Sequence, residues 1–232
     1  MDQELRQDFM ASCEVRSAFY RFLASVYLKE LNEEQITALA TMTVPGDTSL
    51  TAGYSLMKDY LSHYPPTPTE ISVRQSLAVD YASTFLGAGH YEKLIAPPYE
   101  SVFLSPAHIL MQEPRDEVVR AYAAEGVRID PADDTPEDHM GFELQFMAEL
   151  LDRQAAALES ENLDEARRLG GVSQDFLQDH LAKWTPLLCN AIDEHARTDF
   201  YKGVSSITRN FIQDEVELLP KILEALDEAS EK

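Results

Sequence analysis

The run Val15-Arg16-Ser17-Ala18-Phe19-Tyr20-Arg21-Phe22-Leu23-Ala24-Ser25-Val26 decides the fold class. Its apolar residues Val15, Phe19, Phe22, Leu23 and Val26 recur at three- and four-residue intervals, the period of a helix that buries one stripe. The spacing predicts one long helix over residues 3 to 31. The same period returns along the rest of the chain, and no stretch alternates apolar and polar residues with the β-branched enrichment of a strand. The expected fold is therefore all-α, a helical bundle of about ten helices.

Punctuating residues divide that pattern. Asn32 followed by Gln35 has the form of a capping box and opens a second helix that stops before Pro45; Ser49 to Tyr64 supplies a third. Pro65-Pro66-Thr67-Pro68 enforces an extended break. A fourth helix runs from Thr69 through Val79 and Phe85 to Gly87, where a left-handed stop suits glycine. Residues 88 to 105 read as a connection with at most a short helical turn. A helix from Glu113 to Glu125 then ends at Gly126, and Val127 to Asp134 forms another loop. Thr135-Pro136-Glu137-Asp138 reads as a helix start, with Thr at the N-cap, Pro at the first helical position and acids facing the dipole. The helix it opens extends to about Leu158.

Beyond Asn162 the helical pattern continues through Phe176, Leu181 and Trp184 to Pro186, then Leu187 to Ala196, then Thr198 to Leu219, with Pro220 bending or ending it. Gly170-Gly171 reads as a bend between helices, and Trp184 as core. The loops at 88 to 105 and 127 to 135 are the seams of a loop-rich hinge between N-terminal and C-terminal helical groups. Residues 1 to 232 are thus expected to form a single helical domain with a seam at 88 to 135.

Composition narrows the function classes. The 232 residues are 44% hydrophobic and 26% charged, enough for a sizeable core in a soluble globular protein. The 41 acidic and 19 basic residues give a net charge of -22, which repels nucleic acid and attracts basic peptides, or simply maintains solubility. Cys13 and Cys189 are far apart and lack metal-ligand spacing, which fits a reducing cytosol. The acidic Met1-Asp2-Gln3-Glu4 is unlike a secretory leader, and no apolar run approaches the ~20 residues that span a bilayer. A cytoplasmic protein that does not span the membrane is expected.

Two polar motifs interrupt the helices: Ala96-Pro97-Pro98-Tyr99-Glu100-Ser101, and Thr135-Pro136-Glu137-Asp138-His139 running on to Glu143-Leu144. His139 and Glu143 are four apart on one helical face, a spacing that can ligate a metal or pass a proton. His63, His90, His108, His180 and His195 share no ligand spacing with them, so no metal site and no cofactor is assigned. A structural reading competes, in which Asp138 completes the Thr135 capping box, His139 bonds a nearby carbonyl or carboxylate and Glu143 pairs across to another helix. Tyr99-Glu100-Ser101 offers an aromatic face, a carboxylate and a hydroxyl, but no nucleophile elbow surrounds Ser101, and Glu100 and Ser101 could equally cap a short helix near Val102. Phosphate loops, dinucleotide fingerprints and Cys-x-x-Cys pairs are absent, so no catalytic residue is assigned.

Three stretches resemble the TorD/DmsD/NarJ family of redox-enzyme maturation chaperones. They are Asp80-Tyr81-Ala82-Ser83-Thr84-Phe85-Leu86-Gly87 leading into Pro98-Tyr99-Glu100-Ser101-Val102-Phe103; Pro136-Glu137-Asp138-His139-Met140-Gly141-Phe142-Glu143-Leu144; and Phe176-Leu177-Gln178-Asp179-His180-Leu181 with Trp184, Pro186 and Phe200-Tyr201. Thr135 stands where the family usually has Glu. The resemblance implies a cytoplasmic, non-enzymatic chaperone for a molybdenum-cofactor oxidoreductase of the dimethyl sulfoxide reductase group. Such a chaperone binds the client's twin-arginine leader peptide, its apoprotein, or both, until the cofactor is inserted. It further implies that Tyr99, Glu100, Ser101, Pro136, Asp138, His139, Glu143 and Leu144 line or support the leader groove. Either a monomer or a domain-swapped dimer is compatible. The alternatives from other classes are a helical metal-dependent hydrolase using Asp138 and His139, and a structural adaptor for a folded partner.

Overall fold

In a computed structural model, which describes residues 1–44, 46–62, 72–89, 95–130 and 132–230, the opening run lies on α1 (Gln3–Leu28). The helix is where its period placed it, but its buried face is turned. Val15 is 71% exposed, while Arg16, Ser17, Tyr20, Leu23 and Ala24 are buried. Polar residues occupy that face because each finds a partner. Arg16 donates to both Glu215 oxygens at 2.8 and 2.7 Å, Tyr20 donates to Glu215 at 3.0 Å, and Ser17 donates to Asp152 at 2.6 Å. Side-chain type alone points such residues outward; the ion pair reverses the choice.

The remaining helices are α2 (Glu33–Thr41), α3 (Thr51–Leu61), α4 (Val73–Phe85), α5 (Glu100–Leu104), α6 (Glu113–Ala124), α7 (Met140–Glu159), α8 (Leu163–Phe176), α9 (Ala182–His195) and α10 (Asp199–Ser230). A π-helical turn, Leu177–Leu181, joins α8 to α9 without a break. The described residues contain no strand, only an isolated bridge between Tyr99 and His139, so the protein is all-α as its periodicity predicts. The capping box forms as expected: Asn32 N–H donates to Gln35 Oε1 at 3.0 Å and Gln35 N–H to Asn32 Oδ1 at 2.9 Å. Ser72 caps α4, accepting from Gln75 N–H. Gly87 and Gly126 both take left-handed φ values of 70° after their helices. The expected break at Pro65 to Pro68 lies outside the described residues, as do His63 and His90.

Several predicted boundaries are corrected. Thr135 is not an N-cap and Pro136 does not open a helix; α7 starts at Met140 with His139 as its N-cap. Gly170 and Gly171 lie inside α8 rather than at a bend. A Cβ on Gly170 would sit 2.8 Å from Gln154 Nε2 and 2.8 Å from Leu223, so this glycine serves close packing. Pro186 lies within α9, in the N-terminal part of that helix beyond the π turn. Pro220 lies on the exposed face of α10, which continues to Ser230 because Ile222, Leu226 and Ala229 are buried beyond it. That burial offsets the proline's cost of about 3 kcal/mol.

The chain divides into two compact units, residues 1–25, 99–183 and 213–232 in the first and 26–98 and 184–212 in the second. The first has α7 as its central element, with Leu144, Met147, Leu150 and Leu151 fully buried. In the second, Tyr27, Tyr81, Phe85 and Tyr201 form an aromatic cluster with centroid spacings such as 5.2 Å for Tyr81–Phe85 and 5.4 Å for Phe85–Tyr201. Buried Asp80 accepts from the Arg197 and Thr198 backbone N–H groups and from the Thr198 hydroxyl at 2.7 Å, tying α4 to the start of α10. Gly53 and Gly203 allow α3 and α10 to touch, since a Cβ on Gly203 would fall 2.6 Å from Gly53 O. Trp184 is fully buried, as its helical stripe predicts.

Candidate functional site

The two polar motifs meet within the first unit. Tyr99 is extended (φ −129°, ψ 129°) and forms an antiparallel bridge with His139. Glu100 N–H donates to Asp138 O at 3.0 Å. Ser101 N–H donates to Asp138 Oδ2 at 2.8 Å, and the Ser101 hydroxyl donates to the same oxygen. These bonds explain the displaced start of α7. Asp138 spends its carboxylate on the start of α5, and the bridge holds residue 139 extended, so the helix begins one residue later with His139 Nδ1 accepting from Gly141 N–H at 3.0 Å.

Glu100 projects from the first turn of α5 toward the π turn, where its oxygens lie 2.9 and 3.2 Å from His180 Nδ1. The Glu143 carboxyl, one turn into α7, also hydrogen-bonds Glu100. Adjacent buried negative charges are costly, so the contact between the two carboxyls bears on the acidity of Glu100. Burial raises the Glu100 carboxyl above its ordinary range, opposed by the His180 and Glu143 hydrogen bonds. Burial likewise raises Asp138, opposed by the Ser101 donors. His139 is pushed down to about 4 by burial, which keeps Nδ1 the acceptor its capping bond requires. Tyr99 meets the His139 ring edge-on, with centroids 5.0 Å apart and planes at 82°.

All but two of the predicted site residues converge on this cluster. Tyr99, Glu100, Ser101, Asp138, His139 and Glu143 do so; Leu144 is α7 core, and Pro136 contributes a turn in which its carbonyl accepts from His139 N–H at 3.2 Å. Glu100, Ser101, Asp138, His139 and Glu143 are each 5% exposed or less, so the cluster supports the surface around it more than it forms that surface. Asp138 Oδ1 has no hydrogen-bond partner among the described residues, a buried acceptor left over. A cleft of about 320 Å³ adjoins the cluster, lined by the aromatic Tyr122, Phe142 and Phe146 and by the charged Arg128, Glu149 and Arg153. Phe142 links the two, its ring 6.0 Å from that of His139.

Three participants escape the motif reading. His180 carries no ligand spacing and is 80 residues from Glu100; it stands out only within the third resembling stretch. Arg115 on α6 clamps Glu137 through bonds of 2.7 and 2.8 Å, and Tyr122 donates to Glu137 O at 3.2 Å. Nothing in the spacing of Arg115 or Tyr122 announces these roles. Among the described residues no group of three or more His, Cys, Asp and Glu side chains is arranged to hold a metal ion.

The fold and the cluster define an all-helical protein whose two inter-helix motifs lock together through buried carboxylates beside a cleft with both aromatic and charged walls. The model of the family described as nitrate reductase delta subunit matches residues 45–190, more than half of the chain, and the chain belongs to that family. It is also similar to the chaperone protein TorD of Psychrobacter sp., 26% identical over 226 residues that cover 94% of this chain and 98% of that protein. TorD of Vibrio cholerae serotype O1 is 24% identical over 227 residues, covering 95% and 99%. TorD of Vibrio parahaemolyticus is 24% identical over 209 residues, covering 87% and 93%. These findings agree with the family that the three motifs indicate.

Proposed function

We propose that this protein is a cytoplasmic chaperone that binds the twin-arginine leader, the apoprotein, or both, of a molybdenum-cofactor oxidoreductase until the cofactor is inserted. The observation that carries the reading is similarity along nearly the whole chain to proteins named chaperone protein TorD. Among the described residues no helix is long and apolar enough to cross a membrane. The site chemistry suits a leader with a basic front and an apolar middle: aromatic side chains of the cleft meet the apolar part, and the acidic surface draws in the basic part. Tyr99 and Pro136, both half-exposed, stand at the edge of the motif pair. Glu100, Ser101, Asp138, His139, Glu143 and Leu144 hold α5 and the start of α7 in register behind that edge.

The chemistry is that of binding. The metal-dependent hydrolase alternative lacks a ligand set among the described residues, and His139 Nδ1 is already engaged as a helix cap. A double substitution of Asp138 and His139, Asp138→Asn with His139→Asn, should weaken leader binding at unchanged helicity, read by calorimetry and circular dichroism. Affinity equal to the parent's would remove both residues from the site. A complex formed only with a folded partner, and with no leader, would favour the adaptor.

A further inference from the structure

We propose that the turn joining α5 to α6 is a docking surface for the apolar part of the twin-arginine leader, contacted through Ile109 and Met111. The proposal deepens the function proposed above and rests on it for the source of the peptide. Ile109 and Met111 are 54% and 57% exposed, two large apolar side chains within three residues of one turn. Single residues of this kind are ordinary on a protein surface; a close pair on a fixed turn is less so.

The backbone gives the pair its weight. His108 and Met111 have φ values of 51° and 62°, in the left-handed region. Histidine tolerates that region better than most residues, but for methionine it is strained, and glycine would be the relaxed choice. Such strain persists only where the surroundings impose it, and it concentrates at sites of binding and catalysis. His108 N–H donates to Ser105 O at 3.1 Å, and its Nδ1–H donates to Val102 O at 2.9 Å. Gln112 Nε2 donates to the Leu110 and Met111 carbonyls at 3.1 and 3.2 Å. Gln112 N–H donates to Ser101 Oγ at 3.4 Å, so the turn is anchored on the hydroxyl that also binds Asp138. These bonds hold Met111 strained and outward, with no burial in this chain to offset the strain. The apolar surface of a partner supplies that burial.

Charge selects the partner. No Lys or Arg occurs from Ile95 to Pro114, and Arg115 is committed to Glu137 at 2.7 and 2.8 Å. Beside the turn, Glu113 and Asp116 are exposed in the first turn of α6, and Glu113 has no ion-pair partner among the described residues. A peptide with an apolar stretch next to a pair of cations gains from both surfaces, whereas an acidic amphipathic peptide is repelled. A second copy of this chain, also at -22, would bring the same carboxylates to the contact. The unbranched thioether of Met111 adapts to differing apolar sequences, which suits a peptide-binding surface.

The test uses the full chain labelled with 13C-methyl methionine, with acetyl-Arg-Arg-Phe-Leu-Ala-Leu-Leu-amide as probe. Two comparison peptides replace its arginines by glutamates or its Phe and Leu residues by serines. The expected result is a saturable shift of the Met111 methyl resonance with the probe and none with either comparison. Ile109→Ser combined with Met111→Gly should raise the Kd of the probe about tenfold. Met111→Gly alone relieves the left-handed φ and should unfold at a urea concentration equal to or above the parent's, so the weaker binding is not a loss of folding. A Met111 resonance that does not move while the probe binds, a parent-like Kd in the double variant, or an equal response to the glutamate peptide overturns the proposal. Parallel titration with twin-arginine leaders separates the two readings. Leader binding with Met111 silent removes the turn and leaves the chaperone; a probe that engages Met111 while no leader binds refutes the leader as occupant, and no binding of probe or leader overturns both.

Discussion

His139 gives the sharpest test of how the site is held together. It is buried and neutral, its Nδ1 accepts from Gly141 N–H, and burial pushes its pKa from the ordinary 6.5 to about 4. Between those values the folded protein binds fewer protons than the unfolded chain, so stability falls as pH drops from 6.5 to about 4. The difference is worth about 3 kcal/mol at the acid end. His139→Asn keeps a side-chain acceptor at the N-cap, where Asn is among the best residues, and removes the titrating ring. At neutral pH it should cost about 1–2 kcal/mol for the lost ring contact with Tyr99 and the space left behind. Its further loss on acidification to about pH 4 should be smaller than the parent's by about 3 kcal/mol. Urea denaturation of both proteins across this range, with equal m values, measures the difference. Carboxylates held low by arginines, such as Glu125 and Glu137, lose stability on acidification in both proteins and cancel. Parallel losses in parent and variant would refute the claim that His139 is folded in its neutral form.

Other consequences are more local. Ser101→Ala removes the hydroxyl from Asp138, whose Oδ1 already lacks a partner among the described residues, and should cost about 1–3 kcal/mol in chemical denaturation. Glu215→Gln leaves the buried Arg16 guanidinium without its counter-charge and should cost about 3–5 kcal/mol, whereas replacing Arg16 and Glu215 together by apolar residues should cost much less. Gly203→Ala drives a methyl into Gly53 O and Met57 and should lower stability by about 1–3 kcal/mol, because backbone cannot yield as a flexible side chain does.

Periodicity and punctuation carry most of the fold. The three-and-four spacing of α1, the Asn32–Gln35 box and the glycines at 87 and 126 are local signals, and local physics honours them. Long-range partners are what local signals cannot carry. Val15 looks like core and is exposed, because the face of α1 is chosen by Glu215 and Asp152, each more than 130 residues away. Thr135-Pro136 has every attribute of a helix start, yet Asp138 finds a better use across the loop at Ser101. The motif pair was legible as a site because its residue types are unusual between helices; its burial and the His180 contact were not, since both depend on how α5, α7 and the π turn converge. Pro186 and Pro220 show the same limit, as buried residues after each proline keep the helix intact.

The most direct measurement is calorimetric titration of the purified full chain with twin-arginine leader peptides from the molybdoenzymes of its own source organism. Saturable binding to one leader, lost when its two arginines and apolar core are replaced, is the predicted result and names the client. An absence of binding across the whole panel, with the protein folded, would contradict leader recognition.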